Sequence, residues 1–180
     1  MLVVVGDTHS LYNKHTVNYL ARLQPEILCF TGDRYHPDGE DLARQLGVPL
    51  WGVVGNCDWQ VTSPEELVQC WHGLTIFIAH GHKYDVKRTL NNIYFRAGEL
   101  GAQIVLFGHT HMPLLAMSGN VILLNPGSPS QPRAGVASVG TLEVTERVLE
   151  ASLLNIETDQ LLKKVTCALE KFPQIGRAHV

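Results

Sequence analysis

Positive charge is scarce in this chain: 14 lysines and arginines stand against 17 aspartates and glutamates in 180 residues. A formal charge of −3 and a pI near 6.3 offer no general attraction for polymeric nucleic acid, whose non-specific binding rests on Lys and Arg neutralising phosphates. A nucleotide-sized substrate is left open. No apolar run approaches the length that spans a bilayer, so no membrane partner is expected. The opening Leu2-Val3-Val4-Val5 lacks the basic flank and small-residue cleavage site of a secretion signal, and a cytoplasmic location is expected. The cysteines Cys29, Cys57, Cys70 and Cys167 show no CxxC spacing and are too sparse for a disulfide framework or a Cys-built structural zinc.

What is present is globular: 45% hydrophobic residues in a length suited to one domain with its own core. The first half alternates apolar runs with segments of helical period. Strands are expected at 2–5, 26–30 and 50–54, with helices at 14–23 and 39–46, an alternation that argues for βαβ units and a parallel sheet. Beyond residue 67 the pattern shifts to hairpins. Runs at 67–71 and 74–79 flank His72-Gly73, and a helical stretch at 86–99 precedes a buried run at 103–107. Further hairpins turn at Gly119-Asn120 and Thr145-Glu146, so the second half is expected to be largely antiparallel. An α/β fold of two mixed sheets packed face to face, with helices outside, accommodates both halves. Leu161, Leu162, Val165, Leu169 and Phe172 recur at helical spacing, which predicts a C-terminal amphipathic helix over 157–172. The tail, 173–180, is set apart. Its closing IGRAHV has neither periodicity nor context and is read as a translated adapter remnant, so His179 takes no part in the site.

Polar residues gather at the expected strand ends: Asp7 and His9 in GDTHS, Asp33 in TGDR, Asn56 in GNCD, His80 and His82 in AHGH, His109 and His111 in GHTH. Almost all are metal-ligand types. Alternation along a strand lets residues i and i+2 present two ligands to one spot, as for Asp7 with His9 and His109 with His111. Singly, a histidine at a strand end is more often a hydrogen-bonded structural group, and an Asp after Gly a turn or cap. Five such clusters in one short chain are hard to obtain from turns alone. Seven candidate ligands, Asp7, His9, Asp33, Asn56, His80, His109 and His111, exceed what one ion takes. They fit two ions about 3.5 Å apart with a shared carboxylate and a bridging hydroxide. Mixed Asp, Asn and His ligation suits Mn²⁺ first, with Fe²⁺, Zn²⁺ and Ni²⁺ as alternatives. His15, His36 and His72 lie outside the clusters and are assigned no role.

The ordered series GDTH, GD, GNCD, HGH and GHTH, followed by Asn125-Pro126-Gly127-Ser128 and Pro132-Arg133, resembles the calcineurin-like metallophosphoesterases. More narrowly, it resembles their small bacterial and archaeal phosphodiesterase branch, related to the retromer subunit Vps-twenty-nine. The resemblance spans roughly residues 1–155, and it implies a metallophosphoesterase domain over 1–156 with a double β-sandwich flanked by helices. It also implies that Asp7, His9 and His111 hold one ion, that Asp33 bridges, and that Asn56, His80 and His109 hold the second. Asp33, Asn56 and His82 are carried over as catalytic, with His82 orienting a neighbouring ligand. Asn125 and Ser128 are expected to shape the turn beside the site, and Arg133 to meet a substrate phosphate.

Larger members of the superfamily carry a histidine after the Asn ligand as general acid, where this chain has Cys57. An ordinary thiol of pKa about 8.5 donates protons weakly to an alkoxide, and no base paired with Cys57 is apparent. A bystander role is therefore expected, together with a preference for leaving groups stable as anions. The expected activity is hydrolysis of small phosphodiesters by a metal-bridging hydroxide. A weakly catalytic protein-interaction scaffold and a phosphomonoesterase are the alternatives, and a homo-oligomer is left open.

Overall fold

The structure, a computed structural model, describes residues 1–34, 38–59 and 62–172. The first sheet contains β1 (Leu2–Val5), β2 (Ile27–Phe30), β3 (Leu50–Gly52), β9 (Ser138–Val144), β10 (Val148–Asn155) and β11 (Leu161–Ala168). Its spatial order is β11-β10-β9-β1-β2-β3. The second contains β4 (Glu66–Trp71), β5 (Leu74–Ala79), β6 (Ile104–Leu106), β7 (Pro113–Ser118) and β8 (Val121–Pro126), in the order β4-β5-β6-β8-β7. Helices α1 (Lys14–Arg22) and α2 (Asp38–Leu46) follow β1 and β2, and α3 (Asn91–Glu99) crosses from β5 to β6.

Strand alternation sorts the apolar side chains into three cores. Leu2, Val4 and Cys29 face inward and meet Ile76, Ile78, Ile104 and Leu106 between the sheets. Val3, Val5, Leu28 and Phe30 face outward against Tyr19 and Leu20 of α1 and Leu42 of α2. On the far side Phe77, Val105 and Phe107 pack against Ile93 and Ala97 of α3. Both faces of the central strands are thus covered, which is why their sequences are continuously apolar. The result is the expected four-layer α/β/β/α arrangement. Each fully buried Leu, Ile or Val contributes about 1.5–3 kcal/mol.

Both sheets are mixed, as expected: in the first β1, β2 and β3 run parallel and β9, β10 and β11 antiparallel, and in the second β5, β6 and β8 run parallel with β4 and β7 antiparallel to their neighbours. The crossover through α3 returns the chain in its original direction, which a hairpin cannot do. The hairpin at His72-Gly73 forms as expected, with positive φ of 51° and 78° that suit a tight two-residue turn.

The expected helix over 157–172 is instead β11, paired antiparallel with β10 from Val148↔Ala168 to Leu154↔Leu161, and followed by a short 3-10 turn at Leu169–Lys171. Asn155 decides this locally. Its side-chain oxygen accepts from the backbone N–H groups of Glu157 and Thr158, closing a turn at the point where a helix would have started. The free edge of β10 then takes up the segment. Cys167 and Phe172 complete the inter-sheet core while Leu161 and Leu162 lie outside it. The tail at 173–180 lies outside the described residues, as does His36.

Candidate metal centre

All the strand-end clusters converge on one edge of the sandwich. β1, β2 and β3 run parallel in the first sheet, β5 and β6 in the second, so their C-terminal ends open on the same side, where open α/β sheets place ligands. Asp7 and His9 follow β1, Asp33 follows β2, Asn56 follows β3, His80 follows β5, and His109 and His111 follow β6. Backbone bonds stitch the loops together: Asp7 N–H donates to Gly32 O at 3.0 Å and His9 N–H to Asp33 O at 3.0 Å.

The pleat does not aim these groups. Asp7, His9, Asp33, His109 and His111 have φ of 53°, 47°, 54°, 71° and 57°, the left-handed region that costs a residue with a Cβ of order 1–3 kcal/mol. Neighbouring residues are thereby turned to different places. His109 and His111 serve separate groups of donors, contrary to the expectation from alternation that they share one spot.

The first group is Asp7, His9 and His111, whose donor atoms lie within 4.8 Å of one another. His111 donates Nδ1–H to Gln131 O at 2.8 Å, so its Nε2 lone pair faces His9 Nε2 at 3.2 Å and Asp7 Oδ1 at 3.6 Å. The second group is Asp33, His80 and His109. His80 donates Nδ1–H to Thr31 O at 2.8 Å. Its Nε2 meets Asn56 Oδ1 at 3.2 Å, His109 Nδ1 at 3.2 Å and Asp33 Oδ2 at 3.3 Å. Asp33 Oδ2 also stands 3.8 Å from His9 Nε2, between the groups.

This donor set fits metal ions. Ligand-type nitrogen and oxygen atoms from five loops converge there. Two donors each about 2.1 Å from a common ion, at tetrahedral or octahedral angles, stand roughly 3.0–3.4 Å apart, the spacing found around His80. No thiolate is required. Electrostatics point the same way. Burial, reinforced by Asp33, pushes the Asp7 carboxyl up to about 7. Burial also acts to raise Asp33, but its hydrogen bond to His80 and the charges of His80 and His9 bring it well below the usual carboxylate range. Burial and the neighbouring His80 lower His109 to about 4, keeping its ring neutral and able to ligate.

Residues around the donors hold them in place. Asp58 does most of this: its carboxylate accepts from Asp33 N at 2.9 Å, Arg34 N at 2.8 Å and Gly55 N at 2.7 Å, tying the loops after β2 and β3 together. The loops approach so closely that a Cβ on Gly55 would sit 2.1 Å from Asp33 Oδ1. Asn125 donates to Gly108 O and accepts from Gly127 N. Ser128 donates to Asp7 O. Both shape the turn as expected from the sequence.

A cleft of about 150 Å³ opens on the donors, lined also by Cys57, Lys87, Gln131 and Arg133. His82 is not in the cleft. It borders a small recess with Glu65 and Tyr84, its ring 5.3 Å from that of His80. Lys87 and Asp58 escaped the sequence reading; the GNCD motif contained Asp58, but nothing in one dimension marks a carboxylate as a backbone acceptor. His15 contacts Ile156 O at 2.8 Å, a structural role. Cys57 lies near His9 and Asp33, yet burial and the Asp33 charge raise its pKa, the reverse of what a thiolate nucleophile needs. A Cys57→Ala variant is expected to keep most of whatever hydrolytic activity the unaltered chain shows; its loss would reinstate the thiol.

Residues 1–147 match the calcineurin-like phosphoesterase superfamily domain. The chain belongs to that superfamily. Among relatives of this phosphoesterase, the probable metallophosphoesterase YsnB of Bacillus subtilis (strain 168) is 31% identical over 134 residues, 73% of this chain and 76% of that protein. Phosphodiesterase YfcE of Escherichia coli (strain K12) is 31% identical over 103 residues, 51% of this chain and 50% of that protein. A crystal structure of wild-type Vps29 from Entamoeba histolytica, complexed with Zn²⁺, superposes with a TM-score of 0.78 at 21% identity, covering 93% of this chain and 98% of that one. At that identity the likeness speaks for the fold. No helix among the described residues of this phosphoesterase is long and apolar enough to cross a membrane.

Proposed function

We propose that this chain is a dinuclear-metal phosphodiesterase acting on small phosphodiesters, with Mn²⁺ as the working metal and the cytoplasm as its location. The observation that carries the reading is the pair of donor groups with Asp33 standing between them, 3.8 Å from His9 Nε2, beside one cleft with Lys87 and Arg133 in its walls. Asp7, His9 and His111 would hold one ion, and Asn56, His80 and His109 the other. Divalent ions held there would supply Lewis acidity to a phosphoryl group and lower the pKa of water, the chemistry that phosphodiester hydrolysis at neutral pH needs.

The chain's own residues supply position and charge. Arg133 and Lys87 face the cleft as cations suited to a phosphodiester's single negative charge. The carbonyls of Thr31 and Gln131 fix the ring orientations of His80 and His111. The His82 ring, 5.3 Å from that of His80, stands near enough to support that ligand. No imidazole stands where Cys57 does, so leaving groups stable as anions are the expected substrates. The likeness to Vps29 supports a scaffold as a second reading; an intact donor set favours the enzyme.

Chelator-stripped protein is expected to hydrolyse bis-p-nitrophenyl phosphate only after Mn²⁺ is added, and to prefer it to the matching monoester. No turnover with any divalent metal would point to the scaffold, and monoester preference to a phosphomonoesterase. Mn²⁺ uptake should weaken as pH falls from about 8 to about 6. Asp7 has its pKa raised to about 7 in the metal-free protein, mainly by burial, so at lower pH the metal must displace its proton. Titration of Mn²⁺ at several pH values reads this directly.

A further inference from the structure

Beside the cleft lies a second cavity, of about 300 Å³, walled by Val86, Leu90, Phe107, Met112 and Leu114. Its size is at the lower end for small-molecule sites, enough for one ring system. The two cavities share Lys87 and Arg133. Neither cation is ion-paired among the described residues.

One segment builds both sites. After β6, His109 and His111 turn to the donor groups while Phe107, Thr110, Met112 and Leu114 turn to the apolar cavity. Arg133 N–H donates to His111 O at 3.1 Å, which fixes the shared cation against the same segment. Phe107 is a rigid wall, 1% exposed, whereas Met112 is 51% exposed at the rim, where its flexible thioether can adapt to a ring edge.

We infer that this cavity is the subsite for one ester group of the substrate, a flat apolar ring system attached to phosphorus, with Lys87 and Arg133 bridging the ring and the phosphate. The inference rests on the phosphoesterase reading of the cleft and adds the substrate class: diesters carrying an aryl or base-like ring, not those with two small alkyl groups. Charge and apolar surface are arranged for that combination, since the cations sit only at the junction and the far wall carries none.

Phenylphosphonate and methylphosphonate test this without turnover, because neither has an ester bond and they differ by ring against methyl. Calorimetric titration into the Mn²⁺-loaded full-length protein is expected to give phenylphosphonate about tenfold tighter binding, the equivalent of partly burying one ring. Met112→Gln, at an exposed rim position that cannot compromise the core, is expected to shrink that ratio severalfold, and Leu90→Gln likewise. Equal affinities in the unaltered protein, or a ratio untouched in both variants, would overturn the subsite and leave the phosphate cleft standing. If Mn²⁺ binds and neither phosphonate does, the phosphoesterase reading itself fails, and the subsite with it.

Discussion

Asp33→Asn is expected to abolish diester hydrolysis, by roughly three orders of magnitude or more in kcat/KM, and to lower bound metal in the same preparation. The carboxylate stands between the donor groups, 3.3 Å from His80 Nε2 and 3.8 Å from His9 Nε2. Its other oxygen accepts from Cys57 N at 2.8 Å, so it cannot turn without loosening the loop that carries Asn56. An amide keeps the shape and removes the charge, which is what a site for two dications depends on. The backbone there is anchored separately by Asp58, so the variant should fold. Elemental analysis of metal content together with the bis-p-nitrophenyl phosphate assay checks this. Full activity in the variant would contradict the shared-carboxylate arrangement.

Asp58→Ala is expected to produce the largest loss of stability, about 2–4 kcal/mol, by leaving three backbone donors without their charged acceptor. For a chain of this size that corresponds to a fall in melting temperature of roughly 5–15 °C. Asp58 is a positioning residue: Asp33 and Asn56 sit on the two loops it joins, so metal affinity should fall along with stability. Asp58→Asn, which keeps one acceptor oxygen, should recover part of both. A purely structural role would lower the melting temperature and leave metal affinity at low temperature unchanged. Thermal unfolding of the metal-free protein, with Mn²⁺ titration well below the melting point, separates the cases.

Most strands were legible because apolar runs bounded by Gly and polar residues leave little choice. The C-terminal segment was not. Leu161, Val165 and Leu169 satisfy a helical period, and what overrode it is non-local: the open edge of β10 and the turn built on Asn155. The donors were legible for a different reason. Asp, Asn and His placed immediately after buried strands are chemically conspicuous, whereas Asp58 and Lys87 look like any surface charge until the chain is folded around them.

By itself the sequence determined the layer order, the set of ligand-type residues, and the strand ends on which they sit. These follow from local hydrophobic pattern and residue chemistry. The resemblance implied how the donors divide, but only the tertiary structure supplied the backbone that divides them. Left-handed φ at Asp7, His9, Asp33, His109 and His111 is held by contacts from loops distant in sequence, among them Asp58 to the β2 loop, Ser128 to Asp7 O and Gln131 to His111. Strained backbone of this kind persists only where the surroundings impose it, and no local pattern of residues encodes those surroundings.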